Sequence, residues 1–129
     1  MHSPMKVFIL TISSVLVVVS GQLETAFRWR YVDFVWPSAL AREQALATGA
    51  FNITGALPMD VDVSQDNRVF VTFANLEGVP VRLGYITSLI GPSGPLVQPY
   101  PDWTWFQSED CNTSIQEVYR ITIDECNRL

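Results

Sequence analysis

The run DVDVSQD sets Asp60, Asp62, Ser64 and Asp66 at alternate positions, the oxygen-rich spacing with which a calcium-binding loop begins. The rest of such a loop is missing. Gln65 stands where the loop needs glycine for its sharp turn, and Val71 stands where it needs a bidentate glutamate. Strand alternation accounts for the same residues, with the oxygens on one face and Val61 and Val63 on the other. Asp124 and Glu125 form a second acidic pair, but neighbours in an extended chain point to opposite faces and cannot share a substrate. Turn chemistry is the better account of them. Trp103 and Trp105 in DWTWF offer a stacking platform on one face, although behind two prolines they read first as packing anchors. No catalytic, cofactor-binding or metal-binding set can be assembled from these residues.

The reactive residues that remain are two cysteines, Cys111 and Cys126. An apolar run from Val7 to Val19 follows Lys6 and precedes Ser20 and Gly21, which is the layout of a cleaved secretory signal over residues 1 to 21. An uncleaved anchor is the alternative, although the run is short for a membrane span. In an oxidising compartment the two cysteines are expected to pair, closing a loop of 126 minus 111, or 15, residues. Such a bond is worth about 3 kcal/mol. A metal pair is the other use of two thiols, but no histidine lies beyond His2 to complete a zinc site. Asn52-Ile53-Thr54 and Asn112-Thr113-Ser114 are N-glycosylation sequons, in keeping with export. Beyond the signal the chain has seven basic residues, all arginine, against thirteen acids. That balance argues against nucleic acid as a partner, because phosphate binding draws on clustered Lys and Arg.

These residues need elements to position them. With 129 residues, 48% of them hydrophobic, and a mean hydropathy of +0.19, there is material for one core. In FRWRYVDFVWP, Phe27, Trp29 and Tyr31 alternate with Arg28 and Arg30 as on a half-buried strand. PSALAREQALATG then predicts a short helix capped by Ser38 and stopped by Gly49, with a small apolar face that packs against the edge of something larger. From Leu57 the period changes to two. Val61 and Val63, then Val69, Val71 and Phe73, then Val81, Leu83 and Tyr85 predict an antiparallel meander. GPSGP breaks the pattern, and LVQPYPDW suits an edge strand.

An internal repeat joins the two acidic stretches. VDVSQDNRV (Val61 to Val69) and ITIDECNRL (Ile121 to Leu129) share an aliphatic strand pattern, a polar turn and Asn-Arg before an aliphatic residue, at an offset of 121 minus 61, or 60. Units of short antiparallel strands at this period suggest propeller blades with long loops. The expectation is therefore one blade over 57–129 together with the opening of the next, preceded by a strand and short helix over 22–56.

The succession RWRYVDFVWPS, LPMDVDV, NRVFVTF, GVPVRLGYI, PYPDW and DCNTSIQEVYRITIDECNRL resembles the yellow and major royal jelly protein family of insects. The resemblance covers nearly the whole segment after the signal. FNITGALP departs from it, because many members carry an Ile-Pro-Glu-Asn-Asn-like stretch there. The resemblance implies an all-β, six-bladed propeller of which this sequence is the N-terminal part. It also implies a secreted, extracellular protein. Its expected role is non-catalytic, in cuticle pigmentation or in binding small aromatic amines, with no cofactor. A melanin-pathway enzyme converting dopachrome is the alternative. A third reading makes this chain an inactive fragment or an incomplete gene product.

Overall fold

The computed structural model describes residues 14–19 and 22–129. The expected signal segment lies outside the described residues except for strand β1 (Ser14–Val19), which pairs antiparallel with β2 (Gln22–Arg28). No helix among the described residues is long and apolar enough to cross a membrane.

β2 ends at Arg28, earlier than the aromatic alternation suggests, but the alternating burial continues beyond it. Trp29 is buried, Phe27 and Tyr31 are half-buried, and Arg28 and Arg30 are exposed. Helix α1 (Ala39–Thr48) starts and stops where its end signals place it. The Ser38 hydroxyl accepts from Ala41 N–H at 3.0 Å, and Gly49 closes the helix at φ 80°, a left-handed conformation in which glycine carries no Cβ penalty. None of its residues is fully buried, in keeping with its small apolar face.

The meander folds as one four-stranded antiparallel sheet in the order β3 (Pro58–Val63), β4 (Val69–Phe73), β5 (Leu83–Gly91), β6 (Gly94–Pro99). The GPSG break is the hairpin turn between β5 and β6. β6 is an edge strand, as its prolines require. Residues 33–35 run alongside that edge, with Val35 N–H donating to Val97 O at 2.9 Å and Val97 N–H to Asp33 O at 3.0 Å. The core lies beneath this strip. Phe34 makes edge-to-face contacts with Phe51 at 5.9 Å, Phe73 at 5.6 Å, Trp103 at 6.2 Å and Trp36 at 6.5 Å, a geometry that aligns ring edges with ring faces.

Two expectations are corrected. The run VYRITID forms no strand; it lies beside β3, where Ile121 N–H and Ile123 N–H meet the side chains of Asp60 and Asp62 instead of a backbone ladder. β3 also departs from an ordinary half-buried strand, because Val61 stands on the side of the buried Val71 and is nevertheless uncovered. Its carboxylate face is half-buried under this segment, while Val61 and Val63 remain 43% and 52% exposed.

Candidate functional site

Two places gather the polar and aromatic residues. The first is the seam between β3 and the end of the chain. Ser64 to Arg68 makes a tight turn in which Ser64 N–H donates to Arg68 O at 2.9 Å, Asn67 N–H donates to Ser64 O at 2.9 Å, and Asn67 takes φ 62°. Sixty positions on, Asp124 to Arg128 repeats it: Asp124 N–H to Arg128 O at 2.9 Å, Asn127 N–H to Asp124 O at 2.9 Å, Asn127 at φ 60°. Asparagine tolerates this left-handed conformation better than most residues, which explains why both copies carry it. The side chain at the start of each turn does the same work. Arg68 N–H donates to Ser64 Oγ at 3.0 Å, and Arg128 N–H to Asp124 Oδ1 at 2.9 Å.

The second turn sits on the first. Gln65 N–H donates to Asn127 Oδ1 at 2.8 Å and Gln65 Nε2 to Glu125 O at 2.5 Å, while Asp60 Oδ2 accepts from Ile121 N–H at 3.0 Å and Asp62 Oδ2 from Ile123 N–H at 2.7 Å. The Ile121 N–H, followed by the Val61 N–H, holds the Asp60 carboxyl below its ordinary value. Asp66 is likewise held low, first by the Ser64 hydroxyl and also by Arg68, and Asp124 first by the Arg128 guanidinium. The acids that outline a calcium loop in sequence are thus spent on backbone amides, the Ser64 hydroxyl and Arg68. Among the described residues no three His, Cys, Asp or Glu side chains are placed to hold a metal.

The second place is a cleft of about 460 Å³ between α1, the segment Val79 to Arg82 and the 3₁₀ turn Trp103–Phe106. Its wall is the Trp36 and Trp103 pair, stacked at 4.5 Å between centroids and 28° between planes. Both indoles are held by their N–H groups: Trp103 Nε1 donates to Val35 O at 2.8 Å and Trp36 Nε1 to Asp33 Oδ1 at 3.0 Å. Asp33 Oδ2 in turn pairs with Arg42 at 3.0 Å, tying α1 to the wall. Across the cleft, Arg82 donates to Gln116 O at 3.2 Å, Pro80 O at 3.4 Å and Asn75 Oδ1 at 2.8 Å. All three acceptors are neutral, and burial pulls the guanidinium below its ordinary value.

Trp103 and Trp105 do not share a face: Trp103 is half-buried against Trp36, whereas Trp105 is 38% exposed. The packing role holds for Trp103. Cys111 and Cys126 are both exposed free thiols. Asn52 and Asn112 are exposed; Asn52 Oδ1 accepts from the Thr54 hydroxyl at 3.2 Å, whereas the Ser114 hydroxyl is buried and donates to Asp110 O at 2.7 Å. Sequence reasoning passed over Asp33 and Arg82. Each carried a signal, an acid inside the aromatic run YVDFVWP and a lone cation in the apolar run VPVRLGY.

A β-rich chain with one four-stranded antiparallel sheet and a turn repeated beside it belongs to the class that fits part of a β-propeller. The chain is 39% identical over 106 residues to major royal jelly protein 9 of Apis mellifera, covering 82% of this chain and 25% of that protein. It is 43% identical over 110 residues to protein yellow of Drosophila guanche, covering 84% of this chain and 19% of the relative. Over that matched segment it belongs to the yellow and major royal jelly protein family. No family profile matches the chain. The chain spans between about a fifth and a quarter of the length of the royal jelly and yellow proteins it matches.

Proposed function

We propose that the complete protein is a secreted, extracellular, six-bladed β-propeller that binds a small ligand and is non-catalytic, and that this chain supplies its first blade and the opening turn of the second. The observation that supports this most is the second Asn-Arg turn seated on the first, as neighbouring repeats of a radial array would sit. The uncovered edge strand β3 fits the same arrangement. Leu57, Met59, Val61 and Val63 are all about half exposed, an aliphatic row that a further blade would cover. Small aromatic amines are the ligand class proposed for the complete protein, with a role in cuticle pigmentation as the setting.

Export would remove residues 1 to 21, join Cys111 to Cys126 and place glycans on Asn52 and Asn112. The sulfurs lie in two exposed segments, Cys126 in the second turn and Cys111 ahead of it, so pairing them requires the 112–116 loop to fold back. Mass spectrometry of secreted protein without reductant tests these points together. A product beginning near Gln22 with one linked Cys111 and Cys126 peptide is expected; retained Met1 or two free thiols would overturn the reading. The dopachrome-converting alternative is separated by turnover assay, and activity in the complete protein would replace the non-catalytic proposal.

A further inference from the structure

The cleft beside α1 has three properties that together select a ligand. Its wall includes a pair of indoles already fixed by hydrogen bonds to Val35 and Asp33, so a ligand ring meets a rigid aromatic lining. Its volume, about 460 Å³, falls within the range that encloses small ligands. Its charge is one-sided. Among the described residues Arg82 is the sole ionisable one lining it, and no salt bridge ties it to a carboxylate.

A half-buried guanidinium satisfied only by neutral oxygens keeps its full positive charge uncompensated. Of its five N–H groups, three make the bonds to Gln116, Pro80 and Asn75, which leaves five minus three, or two. Gln44 and Gln107, both exposed, also line the cleft and can donate from their carboxamides. An amine placed here would face this cation with no acid to balance it. The whole chain is acidic, at net −5, so attraction of an anion to this spot has to come from the local guanidinium.

We infer that this cleft is a binding site for a planar aromatic anion, its ring lying against Trp36 and Trp103 and its carboxylate paired with Arg82. The site stands apart from the amine binding proposed for the complete protein, and the two can succeed or fail separately. A carboxylate is the fitting anion because a guanidinium presents parallel N–H donors that match its two oxygens.

Saturation-transfer NMR on the secreted protein with three probes of one ring system tests it: indole-2-carboxylate, uncharged indole, and tryptamine as the cation. Indole-2-carboxylate is expected to bind at least tenfold more tightly than indole, and tryptamine more weakly than either. Arg82→Gln should remove that tenfold preference. Gln44→Glu, a change on the exposed face of α1 that leaves Arg82 and its acceptors in place, should cost the carboxylate probe a similar factor and favour tryptamine. No binding of indole-2-carboxylate, binding no tighter than that of tryptamine, or unchanged affinity in Gln44→Glu would overturn the inference.

Discussion

At the scale of single residues, Asp60 and Asp62 give the least expected chemistry. On an ordinary half-buried strand they would face water while Val61 and Val63 faced the core, yet here the carboxylates accept the N–H groups of Ile121 and Ile123. The alternation itself was legible in the sequence; which face is covered was not, because that depends on a segment sixty positions away. The Asp60 carboxyl is held below its ordinary 3.8, first by the Ile121 N–H. A depressed folded value means the stabilisation is complete above pH 3.8 and disappears as the pH falls through the lower folded value. The Ile121 amide resonance should therefore titrate with a midpoint below 3.8, and Asp60→Ala should erase the transition. Asp60→Asn keeps an acceptor oxygen and should keep Ile121 protected from exchange while losing the pH dependence. A second residue-scale expectation concerns Gly78. At φ +79°, with the Asn52 Cβ 2.6 Å from where a Cβ would stand, Gly78→Ala must move the Asn52 loop. It should lower stability by about 1 to 3 kcal/mol in denaturant titration.

At the scale of elements, the parts that depend on neighbours in sequence were the most legible. Ser38 and Gly49 announced both ends of α1, and Gln65-Asp66-Asn67 announced the turn between β3 and β4. What local pattern could not supply was pairing across distance. VYRITID has strand composition, but its would-be backbone partners are replaced by two carboxylates, so the ladder never forms. The coverage of β6 by residues 33–35 was equally invisible, since nothing in YVDFV says which edge it follows. The same contrast ranks two substitutions. Ser38→Ala removes one cap from a helix with no fully buried residue, and should cost about 1 kcal/mol, read mainly as faster amide exchange in α1. Phe34→Ala empties the centre of an aromatic cluster in which Phe34 itself is 2% exposed, and should cost about 3 to 5 kcal/mol of global stability.

At the scale of the whole molecule, the sheet is well filled around β4 and open along its first edge strand, β3. Phe34, Phe51, Phe73, Val81 and Val97 are essentially inaccessible, whereas Leu57, Met59, Val61, Val63, Leu89 and Ile90 are between 43% and 75% exposed. Single exposed aliphatics are common on soluble proteins, but a row of them along an edge strand invites association with other chains. The paired turns lie on the other side of this edge: residues 121–123 cover the carboxylate side of β3, whereas the aliphatic row on its opposite side is left for a further element to cover. Sedimentation velocity over a range of protein concentrations tests this most directly, comparing this chain with one carried on to the length of its relatives. The account predicts concentration-dependent association of the short chain, relieved by the double change Val61→Lys and Val63→Lys, and a compact monomer for the long one. A short chain that sediments as a compact 14.5 kDa monomer at every concentration would contradict it.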